Sequence, residues 1–321
     1  MKKLIYSMFA AFAALAMTSC ESGNPEFDDF EYQTVYFATQ YPVRTVELGK
    51  DQEVDLTLDN QHKVRVTATM GGSYGNKRDI TVKIAVDPTL CEGLSFDNGT
   101  PIEVLPSTYY KLASDQIVIP AGSILGGVEV ELTDDFFADA KSLDKNYVLP
   151  IRMTSIVSGA DSILENRDFV LYAIKYVNPY HAYYLRRGVD NVNIDGANST
   201  VVRRKEYIEY DESVSMSSLS LTGNSLPLFF KDEAGIDQTV VLNLNFGNDG
   251  SCTVTSGTAG VEVNGSGKFV ENGEKKAISN QDRDVIYLDY NVKLNDKVSY
   301  ATKDTLVLQA RGIAPETFTL K

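Results

Sequence analysis

The side chains in this sequence that could do chemistry are few in kind: 44 carboxylates and 18 tyrosines, against two histidines, three cysteines and no tryptophan. Tyrosine combines a flat apolar ring with a hydroxyl at its tip, so it can pack on the face of a sugar ring and hydrogen-bond the ring's hydroxyls. The tyrosines concentrate at Tyr109 and Tyr110, at Tyr180, Tyr183 and Tyr184, and in the pairs Tyr207 with Tyr210 and Tyr287 with Tyr290. On a strand a spacing of three puts two side chains on opposite faces. One member of each of the last two pairs is therefore expected at a surface and the other in a core. Tyr109, Tyr110, Tyr180, Tyr183, Tyr184, Tyr207 and Tyr287 are the candidate contact residues.

Other chemistries lack material. His62 and His181 fall in alternating segments and read as packing or surface residues. Without a third histidine or a Cys-x-x-Cys, neither a zinc site nor a Cys–His nucleophile is expected. The signatures Gly-x-Ser-x-Gly, the P-loop and Gly-x-Gly-x-x-Gly do not occur. Asp134, Asp135, Asp139 and Asp144 are the densest acidic cluster. Calcium takes about six to eight oxygens, and the cluster reads as a solvated loop opening a short helix, where aspartate is favoured. A glycoside hydrolase needs two carboxylates about 5 to 9.5 Å apart; so many acids offer such pairs everywhere, and the sequence selects none. Cys91 and Cys252 could pair if their Cα atoms came within about 7 Å, but in separate domains they are expected as small buried side chains. Arg203-Arg204-Lys205, the one compact basic run, reads as a charged strand edge that discourages aggregation. A formal net charge of −14 repels nucleic acid. No cofactor and no metal are expected.

Positioning these residues falls to strands. With 43% hydrophobic and 23% charged residues the composition is that of a globular protein. From Gln33 onward the pattern alternates, as in Thr34–Phe37, Val54–Leu58, His62–Thr67 and Ile80–Val86, with Gly, Asn, Asp or Pro between the runs. The one helix candidate of the first half is Asp134–Lys141. Val177-Asn178-Pro179-Tyr180 marks a boundary, because proline restricts the residue before it. The second half then offers about eight strands, among them Glu206–Tyr210, Ser215–Leu221, Val240–Phe246, Val285–Leu294, Thr305–Leu308 and Phe318–Leu320, with Asn248-Asp249-Gly250 as a hairpin turn. The expected architecture is all-β: an immunoglobulin-like sandwich over 33–178 and a lipocalin-like up-and-down barrel over 179–321.

The first residues read as an address. Lys2 and Lys3 precede an uncharged apolar run from Leu4 to Met17, too short to span a bilayer, as in a cleaved signal peptide over 1–19. Met17-Thr18-Ser19-Cys20 resembles the lipobox of bacterial lipoproteins, in which the cysteine is lipidated and becomes the first residue; Met17 stands where leucine is usual. Glu21–Glu31 (ESGNPEFDDFE) completes an acidic tether over 20–32 and is similar to the surface-export signal of Bacteroidota lipoproteins. Thr34–Ala38, Tyr109–Leu112 with Ile117–Ser123, and Asn146–Ile151 together resemble the domain of unknown function 1735, found at the N-terminus of many Bacteroidota lipoproteins. The middle stretch is also similar to Calx-β and other immunoglobulin-like sandwiches. Tyr180–Gly188, Gly265–Phe269 and Ile286–Tyr290 resemble the lipocalin-like domain that often follows. The resemblance implies a non-catalytic protein anchored in the outer membrane through Cys20, facing the cell exterior, that binds an oligosaccharide or polysaccharide for a polysaccharide-utilisation system alongside other surface proteins of that system. Two rivals accompany it: a structural or adhesive lipoprotein binding another protein, and a hydrolase with an unrecognised carboxylate pair.

Overall fold

The computed structural model describes residues 32–321. The segments expected as signal peptide and tether, Cys20 included, lie outside the described residues as far as Glu31. Among the described residues no helix is long and apolar enough to cross a membrane.

The first half is a sandwich. Its strands are β1 (Thr34–Tyr36), β2 (Pro42–Glu47), β3 (Lys63–Gly71), β4 (Ile80–Val86), β5 (Glu103–Val104), β6 (Tyr110–Leu112), β7 (Gln116–Ile119), β8 (Leu125–Leu132), β9 (Tyr147–Ser158), β10 (Ser162–Ile163) and β11 (Phe169–Val177). One sheet runs β10-β1-β3-β8-β6. The other runs β2-β11-β9-β4-β7, with β5 also on β9. Alternation supplies the core: Val64, Val66, Ala68 and Met70 of β3 and Val128, Val130 and Leu132 of β8 face Ile80, Val82, Ile84, Ile117 and Ile119 across the sandwich. β9 and β11 instead read as continuous apolar runs, because both their faces are covered. A second cluster of Phe96, Ile102, Val148, Leu171, Ala173 and Phe318 packs on the outer side. The helix Asp134–Ala138 and the 3-10 turn Ala140–Leu143 stand where the helix was expected, with Phe136 and Phe137 packed against Tyr176. No strand forms at Val54–Leu58. Asp55 accepts hydrogen bonds from Thr57 N at 2.9 Å and Thr57 Oγ1 at 2.5 Å, a local side-chain turn that starts the helix Thr57–Asn60.

The second half is a barrel. It comprises β12 (Ala182–Ile194), β13 (Ala197–Arg203), β14 (Glu212–Ser218), β15 (Gly223–Lys231), β16 (Asp237–Phe246), β17 (Ser251–Ser256), β18 (Glu262–Ile278), β19 (Gln281–Lys293) and β20 (Val298–Ala310). β12 pairs along its length with β20 and, on its other edge, first with β14 and then with β13. The ring β12-β14-β15-β16-β17-β18-β19-β20 thereby closes, with β13 as a flap beside it. Its interior is filled by side chains including Leu226, Leu228, Leu242, Leu244, Val254, Ile286 and Leu288.

Charge is also buried there. Asp304 receives Arg186 Nε at 2.9 Å and Tyr290 Oη at 2.7 Å on one oxygen, and Arg203 Nη2 at 2.6 Å on the other. Arg203 further grips Asp190 with two bonds, of 2.7 and 2.9 Å, and Thr302 Oγ1 donates to the same carboxylate at 2.9 Å. Burial opposes ionisation of Asp190, but the Arg203 bonds and charge outweigh it and hold the carboxyl below its ordinary value. Arg203 thus departs from the expectation of a solvated edge: only Arg204 and Lys205 of the basic run are exposed. Gly188, opposite Arg203 in the ladder, makes this possible, because a Cβ there would lie 2.6 Å from Asp304 Oδ1.

A polar seam joins the halves. Asn178, fully buried, donates to the carbonyls of Ser220 and Gly223 and to Asn224 Oδ1, and accepts from Tyr180 N and Asn224 Nδ2. The guanidinium of Arg311 donates to four carbonyls, those of Leu48 and Lys50 in the sandwich and of Asn178 and Pro179 in the linker. Gly49, at φ +101°, permits the approach, since a Cβ would meet that of Pro179 at 2.8 Å. The chain end crosses the seam. Phe318–Leu320 does not join the barrel as expected: β21 (Glu316–Thr317) pairs with β2, and Phe318 and Leu320 pack on the sandwich. Cys91 and Cys252 are free and buried, one in each half, with their thiols pushed up to about 11 and about 12 by burial.

Asp304→Ala, which strands Arg186 and Arg203, should cost about 3–5 kcal/mol, seen as a lower urea midpoint at unchanged slope. His181 at the seam accepts the Ser218 N–H on Nδ1 at 3.2 Å, so that nitrogen must be unprotonated. Burial, helped by Arg311 and Lys175, lowers its pKa to about 4. The neutral ring therefore stabilises the fold fully above about pH 6.5, and that contribution is lost as pH falls from about 6.5 toward about 4. Denaturation across this window should show His181→Gln missing about 2 kcal/mol of the wild-type acid destabilisation.

Candidate functional site

The structure separates the predicted tyrosines. Tyr109 is packed edge-on against Phe136 and Tyr147 and donates to Asp139 at 3.0 Å; Tyr110 is packed against the same sandwich core. Tyr180 stacks on Phe246 at 3.7 Å between centroids. Tyr184, 1% exposed, lies inside the barrel with its hydroxyl on the carbonyl of Tyr180. All four pack against a core, three of them partly buried, and Tyr184 is closed to any external ligand. Tyr183 is exposed, lying close over Gly312. Tyr207 and Tyr287 remain, 56% and 40% exposed.

Both belong to one outer face of the barrel. Register aligns side chains across β18, β19, β20 and β12 in rows about 7 Å apart, with strands about 4.8 Å apart. The first row is Val270, Val285, Val307 and Leu185, and it is covered by Ile208 and by Ala277 and Ile278 of the β18–β19 hairpin. The next is Lys268, Tyr287, Thr305 and Arg187. Ser266, Asp289, Lys303 and Val189 follow, then Asn264, Asn291, Ala301 and Asn191, the last continuing to Thr200 of β13. A groove of about 500 Å³ runs over Tyr287, Lys268, Asp289, Lys303 and Thr305. Another of about 610 Å³ covers the asparagine rows with Glu262, Lys293 and Ser299.

Tyr207 reaches this face through a turn the sequence did not reveal. Glu206–Tyr210 is not a strand; Ile208–Tyr210 is a 3-10 turn whose Ile208 seals the apolar row. Tyr207 and the 71%-exposed Tyr210 consequently project together, edge to face at 6.0 Å, rather than to opposite sides. Asp211 fixes the turn, accepting from Lys205 N at 2.8 Å and from Arg187 Nε of the Tyr287 row.

The polar groups of the face are partly engaged and partly open. Lys303 pairs with Asp289 at 3.3 Å, Thr200 donates to Asn191 at 3.0 Å, and Asn291 donates to Asn264 at 3.4 Å. Each amide keeps unused donors or acceptors toward solvent. Flat rings beside planar amides, hydroxyls and charges can hold a polyhydroxylated chain without bond-making chemistry. Tyr290, paired in the sequence with Tyr287, points inward onto Asp304, as the spacing of three predicts. Among the described residues no group of three or more His, Cys, Asp or Glu is placed to hold a metal; Asp139 instead accepts from Tyr109 and Tyr147. A cleft of about 430 Å³ between the halves, lined by Glu47, Asp51, Glu271, Arg283, Asp284 and Arg311 among others, offers no exposed aromatic. There Glu47 has its pKa raised by burial, against the charge of Arg311.

A profile of the domain of unknown function DUF5627 matches residues 179–312, and a profile described as an N-terminal domain matches residues 30–159. A crystal structure of a structural-genomics protein of unknown function from Bacteroides ovatus is 47% identical, covers 91% of this chain and 99% of its own, and superposes with a TM-score of 0.86. The chain belongs to that protein's family. Looser likenesses include a Bacteroides ovatus multidomain protein including DUF1735, at 15% identity and TM-score 0.44 over 86% of this chain and 95% of that one. An auxiliary nutrient binding protein from Bacteroides thetaiotaomicron gives 15% identity and TM-score 0.40 over 83% and 90%. A search of the curated proteins gives no match. The family member with the high score shares both the sandwich and the barrel, and the DUF5627 match spans all the strands of the outer face.

Separating surface from core tyrosines yields a direct check. Tyr207→Ala and Tyr287→Ala should leave thermal stability within about 0.5 kcal/mol of wild type, whereas Tyr184→Ala should cost about 3–5 kcal/mol; differential scanning fluorimetry of the purified variants distinguishes them.

Proposed function

We propose that this protein is a cell-surface lipoprotein, held in the outer membrane through Cys20, that captures an extracellular polysaccharide or oligosaccharide on the outer face of its barrel without cleaving it. The observation that carries this reading is the placement of exposed Tyr287 in a groove with Lys268, Asp289, Lys303 and Thr305, two rows along the strands from Asn264, Asn291, Asn191 and Thr200. Tyrosine supplies the platform for a sugar ring, and the amides and hydroxyls of successive rows meet its hydroxyls. An extended face of this kind suits a polymer lying across strands better than a small molecule, which favours enclosed apolar pockets. The overall acidity, −14, is compatible with a neutral glycan and opposes nucleic acid.

Affinity electrophoresis of the soluble protein, begun at Glu21, through gels cast with plant, host and microbial polysaccharides tests this. Retardation by at least one polymer is expected, weakened about fivefold or more by Tyr287→Ala, since loss of one stacking ring is worth about 1 kcal/mol or more. Unretarded migration of folded protein through every polymer would refute the reading.

A further inference from the structure

The sandwich ends away from the barrel in a set of loops whose composition differs from the rest of its surface. β11 runs toward the barrel seam at Val177. By register β3, β7 and β9 end, and β4 and β8 begin, at the opposite pole. The loops there are tied together: Gln33 Nε2 donates to Ser73 Oγ at 2.7 Å, Gln33 N to Asp161 Oδ2 at 2.7 Å, Gly122 N to the Asn76 carbonyl at 2.8 Å, Ala121 N to Asp79 Oδ1 at 2.8 Å, and Thr69 Oγ1 to the Ile124 carbonyl at 2.9 Å.

Eight large apolar or aromatic side chains of the sandwich are exposed, and only Val54 lies at the barrel end. Tyr32, Tyr74, Ile124 and Leu125 sit in or beside the loops of the far pole, and Val118, Val157 and Leu164 flank them. Ile124 and Leu125 are 56% and 54% exposed, adjacent where the Pro120–Ser123 turn leads into β8, with basic Lys77 and Arg78 exposed on the neighbouring loop. Nothing in the sandwich core requires apolar residues there.

The chain enters at this same pole, at Tyr32. From Cys20 to Tyr32 are 12 residues, a chain that reaches at most about 40 Å when extended and about 20 Å as a flexible coil. A lipid on Cys20 therefore holds this pole, and not the barrel, beside the bilayer. Adjacent aliphatic residues flanked by tyrosine and lysine or arginine are the composition that enters the headgroup boundary, the rings and long basic chains keeping their polar ends in water.

We propose that the Ile124–Leu125 pair at the start of β8, with Tyr32 and Tyr74 at the same pole, is a bilayer-contact surface that seats the sandwich on the membrane and points the barrel face outward. This rests on the reading of Cys20 as the lipid attachment. An apolar residue inserted into the headgroup region contributes little alone, so the contact acts together with the anchor, fixing orientation rather than supplying attachment.

The absence of tryptophan from the chain allows a clean test. Mature protein begun at Cys20 is coupled through that thiol to maleimide lipid in phosphatidylethanolamine–phosphatidylglycerol vesicles, Cys91 and Cys252 being buried and unreactive. Ile124→Trp and, separately, Leu125→Trp should show blue-shifted emission and at least about twofold quenching by lipids brominated on the acyl chain. Ile236→Trp, on the exposed β15–β16 hairpin of the barrel, should show neither. Equal emission and quenching at all three positions would overturn the proposal. In cells, alkyne-palmitate labelling that disappears in Cys20→Ala is expected. Labelling that survives Cys20→Ala, or no labelling, removes the anchor reading and the proposal with it, whereas labelled protein with an unquenched Ile124→Trp removes the bilayer contact alone.

Discussion

The barrel depends on how β12 meets β20. These strands close the ring, and their inner faces carry the buried charges, Arg186 and Asp190 on β12 and Asp304 on β20, with the Thr302 hydroxyl of β20 on Asp190 and Arg203 of β13 reaching in past Gly188. A hydrophobic ladder tolerates a slip of two residues, because the same face stays inward. This one does not, since a slip would part Arg186 and Arg203 from Asp304 and leave ions without partners in a low-dielectric interior, at several kcal/mol. The interior charges thereby fix the register, and the register places Thr305 and Arg187 in line with Tyr287 on the outside. The outer face is a consequence of an inner constraint.

A comparable economy holds at the seam. Arg311 satisfies carbonyls of the sandwich and the linker together, and Asn178 bonds the barrel's Ser220–Asn224 turn from within the linker. Both are buried polar groups whose bonds exist only when the halves are assembled, so each half is held at a set angle to the other. The return of the chain end onto β2, with Phe318 against Phe96 and Tyr41, adds an apolar clasp. The outer face of the barrel and the far pole of the sandwich therefore stand at the two ends of one body joined by buried bonds.

Val54–Leu58 and Glu206–Tyr210 alternate as strands do, yet fold as turns, because an aspartate or an apolar anchor redirects the chain: Asp55 binds Thr57, and Ile208 inserts between Leu185, Val285 and Val307. Local alternation reports which side chains are wanted inside, not whether a neighbouring strand is free to pair. Arg203 looked like an edge residue because its partners, Asp190 and Asp304, are 13 and 101 positions away. Tyr183 and Tyr184 part because adjacent strand residues face opposite ways, one exposed and the other inside the barrel.

The sequence by itself determined the all-β class, the opposite facing of Tyr287 and Tyr290, and a supply of side chains rich in carboxylates and tyrosines and poor in histidine and cysteine. These are properties of composition and of period two, which each strand carries alone. Tertiary structure decided which tyrosines are surface and which are core, that Tyr207 and Tyr210 stand together, that Asn191, Asn264 and Asn291 share a row, and that the chain end belongs to the sandwich. Those depend on register and closure between strands far apart in the chain, set by buried ion pairs whose partners no local pattern identifies.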